Sequence, residues 1–312
     1  MDLNSKIYIA GHQGMVGSAI VRELYRQGYI NLLLPTREEL DLRCQSGVER
    51  FFKREKPQYV FLAAAKVGGI SANRKAADFI YDNLAIEMNI IHSAWQNDCK
   101  KLVFVGSACI YPSTAMQPIQ ESSLLTSELG KSHEAYALAK ISGIKYCEYL
   151  NQQYGTEYIS VIPNNLYGLN DNYNPQSSHV LPAMIARFHE AKIAGAATVT
   201  CWGDGSSRRE FLFADDFANL CIFLMDHYHD SEPINAGTGY DMSIRELAEM
   251  VAKVVGYSGD ICWDITKPNG AARRLLDNSK IKSLGWNRFT NLEEGISLTY
   301  HDFLHHQRRE GR

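Results

Sequence analysis

The run that most constrains this chain lies near its start: Gly11-His12-Gln13-Gly14-Met15-Val16-Gly17. Its three glycines recur at every third position. They stand between a short apolar segment, Lys6 to Ala10, and a helical pattern from Met15 to Gln27. Strand, glycine turn and helix in that order cradle a pyrophosphate. The first glycine permits the tight turn and the second lets backbone approach the phosphates. The third lets the helix pack close to the sheet with its positive end aimed at them. A dinucleotide site at the first strand of an α/β sheet is therefore expected.

The next stretches keep that rhythm. Ile30 to Leu34, Tyr59 to Ala63, Lys101 to Val105 and Tyr158 to Ile162 read as strands, the last stopped by Pro163. Ala76 to Asn97 and His133 to Tyr154 read as helices between them. Continuous apolar strands separated by helices indicate a parallel sheet covered on both faces. Right-handed crossovers make that a doubly wound, Rossmann-like α/β fold. After Pro163 the rhythm changes. Asn164 to Ser178, with Gly168 and Pro175, reads as a polar loop that builds a site. A helix follows over Leu181 to Ala194. Ser243-Ile244-Arg245-Glu246 is a capping box that opens a helix over Ile244 to Val255. The expected division is a dinucleotide-binding domain over 1–165, with a returning segment near 210–237. A smaller C-terminal α/β substrate domain is expected from 166–209 and 238–312.

Composition narrows the function classes. With 312 residues, 45% hydrophobic and 21% charged, the chain reads as a soluble globular protein with a sizeable core. A formal charge of -3 leaves no electrostatic footprint for nucleic acid or an anionic membrane. The longest apolar run, Tyr59 to Ala65, is too short to span a bilayer. Met1 to Lys6 lacks the basic start and apolar stretch of a signal peptide. The seven cysteines are odd in number, scattered, and form no C-x-x-C pair, so reduced thiols in a cytoplasmic protein are expected. The tail His305-His306-Gln307-Arg308-Arg309 reads as a solvated terminus, and no metal site is expected.

An NAD site carries an acid about 20 residues beyond the turn, at the end of the second strand. Here that place reads Leu34-Pro35-Thr36-Arg37. A guanidinium pairs with a 2′-phosphate that a carboxylate would repel, so NADP(H) is the expected cofactor. Chemistry is signalled further on. Tyr136 and Lys140, four apart, share a helix face. An ammonium beside a phenol stabilises phenolate and is expected to lower its pKa toward neutrality, making a proton donor for a carbonyl under hydride attack. Ser107, just after the strand Lys101 to Val105, emerges at the carboxyl edge of the sheet. Its hydroxyl is placed to bind the same carbonyl oxygen.

The glycine turn, the serine after the fourth strand and Y-x-x-x-K together resemble the extended short-chain dehydrogenase/reductases. Four stretches narrow the likeness: Ala63-Ala64-Ala65-Lys66-Val67-Gly68-Gly69-Ile70, Gly106-Ser107-Ala108-Cys109-Ile110-Tyr111-Pro112, Asn165-Leu166-Tyr167-Gly168 and Ser178-His179-Val180. They are similar to the GDP-L-fucose synthase family, the GDP-4-keto-6-deoxy-mannose 3,5-epimerase-4-reductases. The likeness runs from about Lys6 to Phe303.

The resemblance implies that Cys109 and His179 exchange protons at the two carbons flanking a sugar ketone. Ser107 and Tyr136 would hold the enolate oxygen, and Tyr136 would supply the proton when NADPH reduces C4. By residue type alone Cys109 is more often a buried thiol and His179 a satisfied loop histidine, and the match to two separate motifs reverses that reading. The resemblance further implies cofactor contacts from Gly11 to Gly17, Arg37, Asp41, Leu42, Ala63, Ala64, Ala65, Val105, Gly106, Lys140, Pro163, Asn164, Asn165, Leu166 and His179. It implies nucleotide-sugar contacts from Arg187, Trp202, Arg209, Asn269 and Arg274, and a homodimer through the two long helices. Four positions depart from the family pattern: Gln13 for arginine, Ala108 for serine, Asn164 for threonine and Asn269 for aspartate. The alternatives are the same chemistry on another GDP-4-keto sugar (the colitose route or a heptose), a 4-epimerase or dehydratase with tightly bound NAD, and a non-catalytic NADP-binding regulator.

Overall fold

A computed structural model describes residues 1–68, 75–174, 177–267 and 269–310, the last five of these by backbone alone. Gly69, Ile70 and Pro175, and the side chains of His306, Gln307, Arg308 and Arg309, lie outside the described residues.

The first half alternates as expected: β1 (Ile7–Ala10), α1 (Met15–Arg26), β2 (Leu32–Leu33), α2 (Gln45–Glu55), β3 (Tyr59–Leu62), α3 (Ala76–Gln96), β4 (Lys101–Val105), α4 (Glu134–Tyr154) and β5 (Glu157–Pro163). The chain then passes through β6 (Asn165–Tyr167), α5 (Val180–Ala194), β7 (Thr198–Trp202), β8 (Arg208–Arg209), β9 (Phe211–Phe213), α6 (Ala214–His227) and β10 (Ile234–Ala236). It ends with β11 (Met242–Ser243), α7 (Ile244–Val255), β12 (Asp260–Asp264), β13 (Arg273–Arg274), α8 (Ser279–Ser283) and α9 (Leu292–Glu310).

Six strands form a parallel sheet in the order β2-β1-β3-β4-β5-β10. Side chains alternate across it. Ile7 and Ile9 of β1 enter a core shared with α1 and α6, whereas Tyr8 and Ala10 enter the opposite core against α2, α3 and α4. This is the doubly wound α/β sheet, and its strand order reverses between β1 and β3. A third core joins α5, α7 and α9 to β7 and β9 in the C-terminal part. The capping box forms as expected: Ser243 Oγ accepts from the Glu246 amide at 3.1 Å, and Glu246 Oε2 accepts from the Ser243 amide at 2.7 Å. No helix among the described residues is long and apolar enough to cross a membrane.

Four local expectations need correction. The second strand shortens to Leu32–Leu33 at the sheet edge. β5 does not finish before Pro163 but includes it as its last residue, paired with Ala236 of β10. Because β4 finishes opposite Val161, the missing donor of Pro163 interrupts no ladder bond on that side. The polar loop after it contains β6, which pairs in parallel with β9. Helix α2 went unanticipated. Val48, Phe51 and Phe52 face inward from a segment that is otherwise mostly charged or polar.

Candidate active site

The glycine turn sits at the point where strand order reverses. Gly11 has φ +86°, and a Cβ there would lie 2.7 Å from Ala64 Cα at the end of β3. A Cβ on Gly17 would run into the Gly11 carbonyl oxygen, so only glycine lets α1 start this close to the sheet. Gly14 is the N-cap of α1 and provides no side-chain cap, nor does any acid occupy the first turn. The open amides and positive end of α1 fit a pyrophosphate. Asn170 Nδ2 donates to the Gln13 carbonyl at 2.6 Å and ties the second half of the chain to this turn. Arg37 stands exposed just beyond β2 and forms no ion pair with a described residue. Asp41 is already engaged by Arg43 at 2.7 Å.

The reactive side chains gather at the carboxyl end of β4. Ser107 is extended, and its Oγ accepts from the Cys109 amide at 3.4 Å, which opens a 3₁₀ turn over Ala108–Ile110. Gly106 lies beneath them, where a Cβ would meet Ile162 Cδ1 at 2.5 Å and force that side chain to shift. Tyr136 and Lys140 project from α4. The Lys140 ammonium donates to the Val105 carbonyl at 3.0 Å and lies 5.8 Å from the Tyr136 ring centroid. It also pairs with Glu87 of α3 at 3.0 Å. The expected lowering of the phenol is not found. Burial pushes Tyr136 well above its ordinary value, and the nearby Cys109 and Glu87 add to it. Glu87 already balances the ammonium that was to have stabilised phenolate.

Cys109 is half-buried, and desolvation pushes its thiol up to about 11, opposed by Ser107, Arg274 and Lys140. His179 is the N-cap of α5, and desolvation lowers its imidazole below the usual histidine value. At neutral pH the protein therefore presents a protonated thiol and a neutral imidazole, one group able to give a proton and one able to take it.

Arg274 Nη1 donates to the Ala108 carbonyl at 2.6 Å, inside the turn that carries Cys109. Arg209 is held by the carbonyls of Arg208 and Ala271, at 2.7 Å and 2.6 Å. Each arginine is half-buried, the charge of Arg274 acts on Arg209, and neither pairs with a described carboxylate. Two neighbouring cations without a counter-ion make an anion site. Further out, Arg187 donates to the Thr200 carbonyl at 2.9 Å, and Trp202 is 64% exposed at the end of β7. Asn269 Oδ1 accepts from the Asp204 amide at 3.1 Å and so braces the turn at Gly203.

Sequence reasoning missed the carboxylates that hold this arrangement. Glu210, fully buried, accepts from Asn164 Nδ2 at 2.9 Å, the Gly239 amide at 2.7 Å and the Leu276 amide at 3.1 Å. Asn164 Nδ2 also donates to the Arg274 carbonyl at 3.0 Å, and Asn165 Nδ2 to the Glu210 carbonyl at 2.9 Å. Both amide groups are thus spent on fixing Arg274 and β6. Their sequence signal was only the charged run Arg208-Arg209-Glu210 before an apolar strand.

The pattern of the NAD dependent epimerase/dehydratase family matches residues 7–237. GDP-L-fucose synthase 1 of Arabidopsis thaliana is 55% identical over 304 residues, spanning 97% of this chain and 94% of that protein. GDP-L-fucose synthase of Escherichia coli (strain K12) is 51% identical over 314 residues, spanning 97% and 98%. Among solved structures, the GDP-mannoheptose C4 reductase from Campylobacter jejuni with NADP bound superposes with a TM-score of 0.89 at 42% identity, covering 97% of this chain and 99% of that one. The chain belongs to the NAD dependent epimerase/dehydratase family, on the branch that holds the GDP-L-fucose synthases.

Proposed function

We propose that the protein is an NADPH-dependent epimerase-reductase that converts GDP-4-keto-6-deoxy-D-mannose to GDP-L-fucose. One observation carries this reading. A half-buried thiol, a phenol–lysine pair and the Arg274 guanidinium meet at the turn after β4, with Arg209 next to Arg274, on a sheet whose first turn is a glycine cradle for pyrophosphate, and neither guanidinium pairs with a described carboxylate. Its relatives named GDP-L-fucose synthases, at 51% and 55% identity, support it.

The amides of the glycine turn and Arg37 would hold NADP(H), which when bound supplies hydride for C4. Arg209 and Arg274 bind the diphosphate of the sugar nucleotide, while Trp202 and Arg187 border it. Ser107 and Tyr136 donate hydrogen bonds to the C4 oxygen, which acidifies the hydrogens on C3 and C5. Cys109 and His179 take and return protons at those carbons. In the reduction Tyr136 passes its phenolic proton to the C4 oxygen. Residues 1–165 with 210–237 serve the dinucleotide, and 166–209 with 238–312 the sugar nucleotide. Tyr81, Leu138 and Tyr149 are exposed apolar groups on α3 and α4, and they suit burial against a second copy.

The test is a panel of GDP-4-keto hexoses and heptoses offered with NADPH and then NADH. GDP-L-fucose formed with NADPH from the 6-deoxy-mannose substrate is the expected product. Turnover confined to a heptose, or products with unchanged C3 and C5, would assign the protein to the reductase chemistry of its Campylobacter relative instead.

A further inference from the structure

Lys140 and Glu87 form the most deeply buried ion pair of the site. Glu87 is 0% exposed and Lys140 2%. The ammonium sits between the Glu87 carboxylate and the Val105 carbonyl, each 3.0 Å away, and 4.6 Å from the Phe104 ring centroid. Neither oxygen of Glu87 receives a well-aligned hydrogen bond, so charge is its main compensation. Burial raises its carboxyl above the usual value, and Lys140 opposes that. Space for the carboxylate comes from a glycine. A Cβ on Gly143, in the middle of α4, would lie 2.5 Å from Phe104 Cζ and 3.1 Å from Glu87 Oε2. An interior helix glycine is destabilising relative to alanine. An isolated buried ion pair adds little to stability that apolar packing would not. Two costly features meet at one point, and that point adjoins the phenol.

We propose that Glu87 is a positioning residue of the reduction. It fixes the Lys140 ammonium between Val105 and Tyr136 and offsets its charge, so that the phenol keeps its proton until the sugar oxygen takes it. The inference rests on Tyr136 being the proton donor. Without the carboxylate, the ammonium acts on the phenol alone and lowers the pH at which the donor is lost. The titratable groups facing this point are Tyr136, Lys140 and Cys147 of α4 and Cys109 of the turn after β4. No charged group of β4 or β5 faces it among the described residues.

The experiment compares the full chain with its Glu87→Gln variant in two ways. One is the pH profile of NADPH oxidation with GDP-4-keto-6-deoxy-mannose. The other is a carbon-13 NMR titration of ring-labelled tyrosines without nucleotide, the Tyr136 signal being assigned by its loss in Tyr136→Phe. In Glu87→Gln the basic limb and the Tyr136 titration should both move down by about one to three pH units. A limb and a titration that coincide with wild type, with kcat merely lowered, would overturn the proposal and leave Glu87 a space-filler. Should Glu87→Gln not fold, Glu87→Asp decides: a smaller shift in the same direction supports the proposal, and coincidence refutes it. A wild-type protein that oxidises no NADPH, yet whose Tyr136 titration moves in Glu87→Gln, would sink the proton-donor reading while sparing the Glu87–Tyr136 coupling.

Discussion

Asp171 is the one carboxylate in the loop sequence Asn164 to Ser178, and replacing it gives a stability change with a calculable sign. Its Oδ1 accepts from the Asn172 amide at 2.7 Å, but its Oδ2 is buried with no hydrogen-bond partner. Burial raises its carboxyl to about 7, opposed by the Asn172 and Gly168 amides. A folded pKa above the unfolded one means that the folded chain binds the proton more tightly. The contribution of Asp171 is then fully favourable below the unfolded value of about 3.8, and it is lost as pH rises toward 7. Three units at about 1.4 kcal/mol each set a ceiling of about 4 kcal/mol. Relaxation and water access bring a realistic figure to about 2 kcal/mol, or roughly 3 °C for a chain of this length. Asp171→Asn keeps the shape and the Oδ1 acceptor while removing the charge. Thermal unfolding followed by circular dichroism from pH 4 to pH 9 should show the two proteins alike at the acid end. The variant should gain about 3 °C by pH 8. A gap independent of pH, or a variant less stable at pH 8, would refute the reasoning.

Other substitutions test the chemistry. Tyr136→Phe should slow C4 reduction by about 10²- to 10⁴-fold while NADPH binding, read by fluorescence, stays near wild type; near-normal turnover would remove Tyr136 from the proton path. Arg37→Ala should weaken NADPH far more than NADH in the same titration, since only the former carries a 2′-phosphate. Equal losses would leave Arg37 a solvated surface charge. Glu87→Gln should shift the basic limb of the reduction downward, as set out above.

Much of this was legible in the sequence because local chemistry dictated it. The spacing of Gly11, Gly14 and Gly17 demanded the turn, and the apolar runs around Ile7, Val60 and Val103 demanded buried parallel strands. Helix α2 escaped because charged residues dilute its signal, although Val48, Phe51 and Phe52 carry the i, i+3, i+4 pattern. Strand β6 escaped because Asn164 and Asn165 read as loop, whereas their amides are bound to Glu210. The site divides the same way. Tyr136 and Lys140 announced themselves by lying on one helix face. The state of the phenol did not, because the carboxylate that balances Lys140 arrives from α3, far away in sequence. Likewise Arg274 was read only as a nucleotide contact, yet its Nη1 is fastened to the turn that carries Cys109. Pairwise chemistry close in sequence was visible; partners brought together by the crossovers were not.

In the proposed reaction one cleft exchanges protons at two ring carbons and delivers hydride to the carbon between them. Running the reaction in deuterated water with unlabelled NADPH, and locating label in the product by NMR, tests it directly. Deuterium is expected at C3 and C5 and not at C4, and that incorporation is expected to be lost in Cys109→Ser with NADPH binding retained. A reduced product bearing hydrogen at both C3 and C5, or full labelling in Cys109→Ser, would contradict it.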